Sequence, residues 1–249
     1  MRNDFAHPPS SNMQTESKTD YAGVYELWAS EKCLKNCNAD VVRRLSQYFE
    51  PSAQMLEFGA GIGTLATIWN ARTGVKPECL EIDPKLRVIL TERGFTCFDT
   101  LKSITKSFDG VYTSNVLEHI EDDTATLREI RSVLKQQALL AIFVPAFKSL
   151  YSGLDVSVGH YRRYDKKDLL KKLELANFDV VDCYYVDSLG FFASLAVKIL
   201  GYKDGVKLGN DKTFEIFDKY IYPISTVLDR LGLKYLFGKN LLVIAKKRD

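Results

Sequence analysis

Seven residues, Glu57-Phe58-Gly59-Ala60-Gly61-Ile62-Gly63, place a carboxylate beside three glycines at alternate positions. Glycine lets a chain turn tightly and lets a ligand approach the backbone closely. The free N–H groups of a following helix start favour a carboxylate or a phosphate. Glu81 lies at the end of the next strand-like segment, where a carboxylate can accept two hydrogen bonds from a ribose diol. Asp99, after a third such segment, is placed to accept from an adenine amino group. The Gly59-x-Gly61-x-Gly63 spacing is not the GxGxxG that serves a pyrophosphate, which argues against an NAD-dependent dehydrogenase. Glu57 suits an ammonium group better than a phosphate. A ligand with an amino-acid end, a ribose and an adenine satisfies all of these, and S-adenosylmethionine is such a ligand.

A second cluster lies further along, in Ser157-Val-Gly-His-Tyr-Arg-Arg-Tyr-Asp165. Methyl transfer from a sulfonium is an in-line displacement, helped most by holding the nucleophile close and aligned. A hydroxyl nucleophile usually needs a general base; a neutral amine or a carboxylate does not. His160 and His119 are the candidates for that base, and each could equally fix the shape of a loop. Arg162 and Arg163 can form bidentate pairs with a sugar acid, a sugar phosphate or a lipid pyrophosphate. Adjacent side chains diverge, so one is expected to face the site and the other to pair with a helix acid. Tyr151 and Tyr161 could stack on a sugar ring or pack in the core, and Asp155 could orient a histidine or touch substrate. After the fourth strand stands Ser114-Asn115-Val116-Leu117 in place of a [DN]PP[YFW] motif, which argues against nucleobase amino groups as acceptors. No metal site is expected: Glu118, Glu121, Asp122 and Asp123 read as an acidic helix start, and Cys33-x-x-x-Cys37 lacks a partner pair.

Elements that position these residues alternate from about residue 21 to 187. Strand-like segments at 54–61, 78–83, 95–99, 108–116, 138–146 and 178–187 are separated by helical ones at 24–49, 63–72, 84–91, 122–135 and 165–176, the last with Asp165 as a plausible N-cap. This pattern predicts a parallel, doubly wound α/β sheet, with ligands beyond the carboxyl ends of its strands. Before a final strand at 240–247, residues 188–239 look helical. Phe214, Phe217, Ile221, Ile224, Leu228 and Leu231 form an amphipathic stripe, with Pro223 expected to kink it. The stripe reads as a helical cap buried on the sheet, with a dimer interface, a substrate lid or a peripheral membrane contact as alternatives. Residues 1–20 are polar, contain Pro8-Pro9 and are expected to be a disordered tail, not a signal peptide. A net charge of +2 gives no global drive towards nucleic acid. Five scattered cysteines and no apolar run of membrane-spanning length fit a cytoplasmic protein.

The ordered segments LEFGAGIGTLA, LEID, FDGVYTSNVLEHIEDD and NLLVIAKK resemble the motifs of class I S-adenosylmethionine-dependent methyltransferases. The resemblance covers roughly residues 21–249 and is closest to a bacterial subgroup with NVLEHIEDD and GHYRRY motifs. It implies one Rossmann-like domain with helices on both faces of a seven-stranded sheet, the last strand antiparallel, and a helical insertion between strands six and seven. It implies that Glu57, Gly59, Ala60, Gly61, Glu81, Ile82 and Asp99 line the cofactor site. Asn115 would lie near the sulfonium, and Tyr21 would close over the methionine end. Members of the subgroup often accompany glycosyltransferases in cell-envelope polysaccharide and glycolipid assembly. The expected activity is therefore O-methylation of a saccharide or glycolipid hydroxyl. N- or carboxyl-methylation of a small molecule and a catalytically silent S-adenosylmethionine-binding scaffold are the alternatives. One departure is Gln136-Gln137, where relatives usually have a Pro-Gly-Gly-like turn.

Overall fold

The computed structural model describes residues 24–201 and 211–249. The expectations for residues 1–20 and for Tyr21 lie outside the described residues. Among the described residues, seven strands form one sheet: β1 Met55–Phe58, β2 Glu78–Leu80, β3 Cys97–Phe98, β4 Phe108–Ser114, β5 Leu134–Pro145, β6 Phe178–Val186 and β7 Asn240–Lys247. Their spatial order is β3-β2-β1-β4-β5-β7-β6. Strands β1 to β5 pair in parallel, while β7 runs antiparallel to both β5 and β6. This is the expected Rossmann-like arrangement with its last strand reversed.

Helices cover both faces, which explains why β5 and β7 are apolar almost throughout. On one face, Leu127 and Ile130 of α5 (Asp123–Ser132) and Leu169 and Leu173 of α7 (Lys166–Leu175) pack on Val111, Leu140 and Val243. On the other, Val42 and Leu45 of α2 (Lys35–Ser46) and Trp69 of α3 (Thr64–Thr73) pack on Tyr112, Phe143 and Leu242. Trp69 stacks on Tyr112 with ring centroids 4.4 Å apart.

Several boundaries differ from the sequence reading. The helical stretch expected from 24 breaks at Leu34 into α1 (Val24–Cys33) and α2. Helix α5 stops at Ser132 because the chain enters β5 early, through an irregularity in which Gln137 takes a φ of 60°. That left-handed conformation is one that glycine adopts without strain. Asp165 stands at the N-cap position of α7, but its carboxylate accepts from the Lys148 N–H at 3.1 Å and does not cap the helix.

The insertion between β6 and β7 contains α8 (Ser188–Leu200), α9 (Asp211–Ile216), a π-helical turn (Phe217–Ile221) and α10 (Tyr222–Arg230). Pro223 falls in the first turn of α10, so the irregular π turn precedes it. The expected buried apolar stripe is corrected in part: Phe214, Phe217 and Leu228 are half-buried, but Ile221, Ile224 and Leu231 are exposed. Helix α10 turns Tyr222, Ser225 and Asp229 inward and leaves Ile224, Val227 and Leu231 exposed. Polar partners explain the inversion. Asp229 accepts from the backbone N–H groups of Asp187 (3.0 Å) and Ser188 (3.1 Å), Ser225 donates to Asp187 (2.8 Å), and Tyr222 donates to Asp40 (2.9 Å).

Candidate active site

At the carboxyl end of β1 the chain must turn sharply into α3, and three glycines make that turn with φ of 76°, 55° and 83° at Gly59, Gly61 and Gly63. A Cβ on Gly59 would lie 2.4 Å from Val116, and one on Gly63 2.7 Å from Leu90. The loop is anchored from β2: Gly59 and Ala60 both donate to the Leu80 carbonyl, at 2.9 and 3.0 Å. Glu81 then receives the Gly61 N–H on one oxygen (2.8 Å) and the Asp83 N–H on the other (3.0 Å). Each oxygen keeps a second lone pair for a ligand. Asp99 is exposed, and a hydrogen bond from Ser103 holds its carboxyl below the usual carboxylate range.

These residues line one cavity of about 720 Å³. Glu57, Gly59, Ala60, Gly61, Glu81, Ile82, Asp99 and Asn115 all contribute to its wall. Asn115 adopts a left-handed φ of 53° as β4 ends, and its N–H bonds to Phe143 at 2.8 Å. Sequence reasoning missed the cover that α1 and α2 supply through Glu26, Leu27, Ser30 and Asn38. No motif marks these four; only the packing of the N-terminal helices over the loop brings them in.

Glu57 is the electrostatic outlier. It is buried, and its carboxylate accepts a hydrogen bond from the Tyr112 hydroxyl at 2.9 Å. Burial pushes its carboxyl up to about 8; Glu81 adds to the rise and Tyr112 opposes it. An ammonium group beside it would supply the missing countercharge.

The other wall of the cavity is built by His119, His160 and Val158. His119 belongs to a 3₁₀ turn (Leu117–His119) that follows β4. His160 follows the short helix α6 (Gly153–Ser157). Their rings meet edge to face with centroids 4.6 Å apart. Burial, and then His160, lowers His119 to about 4, while a backbone hydrogen bond at Gly159 opposes the shift. Asp155 fixes the second histidine: its Oδ1 lies 2.9 Å from Nδ1 of His160 and accepts from Nε of Arg163 at 2.7 Å. Burial raises the Asp155 carboxyl, but the bonds from His160 and Arg163 overcome this and hold it down at about 2. A charged Asp155 makes Nδ1 the protonated nitrogen and leaves Nε2 as the lone pair. Behind the histidines stands Glu118, which the sequence grouped with an acidic helix start. Its side chain is fully buried, and burial raises it to about 8, with Asp155 adding and Arg163 opposing.

Neither arginine lines the cavity. Arg163 is buried against Asp155, and Arg162 pairs with Asp123 at 2.8 Å and donates to the Glu121 carbonyl. Tyr151 donates to the His160 carbonyl at 2.6 Å, whereas the Tyr161 ring is exposed and its N–H bonds to the Glu118 carbonyl. Asp155, Tyr151 and Arg163 thus support His160, and Tyr161, like the arginines, does not line the cavity.

A family model described as a methyltransferase domain matches residues 30–182. The chain belongs to this family. It is an S-adenosylmethionine-dependent methyltransferase. A ubiquinone biosynthesis O-methyltransferase of Xanthomonas axonopodis pv. citri is 27% identical over 202 residues, which is 70% of this chain and 82% of that one. Among solved structures, a SAM-dependent methyltransferase from Archaeoglobus fulgidus superposes with a TM-score of 0.56 at 20% identity, covering 92% of this chain and 100% of that one. Phosphoethanolamine N-methyltransferase 2 of Haemonchus contortus, bound to phosphomonomethylethanolamine and S-adenosylhomocysteine, superposes with a TM-score of 0.61 at 15% identity. That match covers 94% of this chain and 61% of the larger protein.

The methyltransferase's cavity fits its cofactor on its own residues. Glu57 lacks a countercharge at the end where an ammonium would sit, the glycine turn has no room for side chains, and Glu81 has free lone pairs towards a diol. No helix among the described residues is long and apolar enough to cross a membrane.

Proposed function

We propose that this methyltransferase methylates a hydroxyl of a saccharide or glycolipid. The cofactor, when bound, supplies an electrophilic methyl group on a sulfonium. Glu57 would pair with its ammonium, the Gly59-Ala60-Gly61 backbone would receive its carboxylate end, and Glu81 would hold the ribose diol. Ile82 and Asp99 would flank the adenine, with Asn115 near the sulfur. The observation that carries the choice of an oxygen acceptor is the wall of His119 and His160 across the cavity. A hydroxyl must lose its proton as its oxygen attacks, and an amine or carboxylate would not need such a wall. His160, oriented by Asp155, is the group on that wall best placed to meet the acceptor oxygen. The O-methyltransferase relative agrees with an oxygen acceptor, and the subgroup's genetic company points to sugars. Arg162 and Tyr161, which do not line the cavity, would meet only the distal part of the acceptor.

A cytoplasmic protein resting on a membrane, or pairing with a second copy, is consistent with the outward apolar face of α10. Residues Tyr220, Ile224, Val227 and Leu231 recur on one side of the chain and are each more than half exposed. Contiguous apolar surface of this kind marks contact sites.

The test is a thermal-shift panel followed by labelled methyl transfer to lipid, polysaccharide, amine and carboxylate fractions. Stabilisation by S-adenosylhomocysteine and not NAD, with label in lipid or polysaccharide, is expected. His160→Ala should abolish transfer and leave S-adenosylhomocysteine binding intact. Label only in the amine or carboxylate pool would overturn the hydroxyl acceptor. Binding without transfer to any pool would favour the silent scaffold.

A further inference from the structure

We infer that Glu118, His119 and His160 form a binding site for a divalent cation of the zinc or manganese class, on the acceptor side of the cavity. Ligand atoms of all three lie within 4.8 Å of one another. Both carboxylate oxygens of Glu118 are buried without a hydrogen-bond partner, and the residue has no exposed surface. A buried carboxylate left unbonded is strongly unfavourable. A proton would neutralise it but leave its oxygens unbonded, whereas a cation supplies charge and bond together. The nearby arginine does not meet this need: Arg163 spends its Nε on Asp155, and its Nη1 has no partner.

The geometry suits a metal. Nε2 of His160 and Oε1 of Glu118 are 3.9 Å apart, too far for a hydrogen bond. A cation about 2.1 Å from each would subtend an angle of roughly 136° between them. Tetrahedral ligands at that bond length stand about 3.4 Å apart, so the widest pair, within 4.8 Å, must close by up to about 1.4 Å. Asp155 on Nδ1 of His160 reproduces the carboxylate–histidine pairing that orients metal-ligating imidazoles. Two imidazoles and one carboxylate are a donor set for zinc, manganese or iron, with positions left open. His119 and His160 line the cavity, so an open position would face the acceptor. With Nε2 of His160 on the ion, that nitrogen could not also take the acceptor's proton; in the loaded protein the ion would instead lower the pKa of a hydroxyl at the open position. This use of the open position rests on the hydroxyl-acceptor reading; the binding itself does not.

The experiment uses the full chain, stripped with a chelator and dialysed, titrated with Zn²⁺ calorimetrically and with Mn²⁺ by electron paramagnetic resonance. One equivalent of each is expected. Glu118→Gln and His160→Gln should each weaken binding at least about tenfold, and Asp155→Asn about tenfold through the oriented imidazole. S-adenosylhomocysteine binding, measured on the same samples, reports folding. If Glu118→Gln fails to fold, His160→Gln decides. No stoichiometric binding, or Zn²⁺ binding unchanged in the folded variants, would overturn the inference; unchanged binding would point to the cysteines. Intact S-adenosylhomocysteine binding with no metal uptake would sink the cation site alone. Label confined to amines with metal still bound would sink the acceptor reading alone.

Discussion

Binding of the amino-acid end of the cofactor should be coupled to loss of a proton from Glu57. In the free protein burial holds this carboxyl at about 8, so at pH 7 roughly nine-tenths of it is protonated. An ammonium placed against it favours the charged form, and the proton must leave. The sign follows directly: below pH 8 the free site holds a proton that the complex does not, so affinity rises as pH rises. At pH 6, two units below the free-site value, this release weakens binding by about a hundredfold, or about 2.7 kcal/mol, relative to a fully charged site. Between pH 6 and 7 the dissociation constant should fall by nearly tenfold. The ligand's own ammonium is kept protonated over this range by its neighbouring carboxylate, so the gain should flatten once Glu57 is ionised in the free protein, above pH 8. S-adenosylhomocysteine is the appropriate ligand, because it carries the amino-acid end without the sulfonium charge. Calorimetry at pH 7 in buffers of different ionisation enthalpy should show about 0.9 proton released per ligand bound. Glu57→Gln should bind more weakly at pH 7.5 and lose the dependence, which separates Glu57 from Glu118 and other groups. A flat affinity profile from pH 6 to 7.5, or the same proton release in Glu57→Gln, would refute the pairing.

Gly59→Ala must place a Cβ 2.4 Å from Val116 at a φ of 76°, so chemical denaturation should show a loss of at least about 1–2 kcal/mol. Adding Val116→Ala should relieve the clash but not the backbone strain. Asp229→Ala removes the acceptor for two buried N–H groups and leaves Arg44 short of a partner, so it should cost about 3 kcal/mol in the same assay. Leu231→Glu, at an exposed position, should leave the melting temperature almost unchanged and yet reduce vesicle binding or self-association; unchanged association would remove α10 from the contact face.

The cofactor half of the site was legible because its residues are dictated by backbone geometry. Left-handed turns call for glycine, and a carboxylate at a strand end is visible as a letter in a known place. The acceptor half was less legible. Glu118 stands three residues before Glu121-Asp122-Asp123, and composition cannot tell a solvated helix start from a fully buried carboxylate. Only Asp122 of that run caps a helix, by accepting from the Ala125 N–H at 2.9 Å. Arg162 and Arg163 looked like ligands for an anion because their partners, Asp123 and Asp155, are distant or unremarkable in sequence. Helix α10 misled for a related reason. Periodicity finds an apolar face, but the direction of that face depends on Asp187, Asp40 and Arg44, which come from other elements.

The N-terminal helices that wall the cavity are fastened to the insertion. Asp218 accepts from the backbone N–H groups of Asn36 and Cys37 at 2.9 and 2.8 Å, Lys32 pairs with Asp211 at 2.7 Å, and Asp40 takes the Tyr222 hydroxyl. Leu27, Ser30 and Asn38 can therefore not swing away from the glycine loop without dragging α9 and α10 with them. Residence time of the cofactor becomes a property of this whole latch rather than of the loop alone. A partner that engaged the outward face of α10 would act as a brake on product exchange, so turnover of the free and the docked chain would then differ even with the same chemistry.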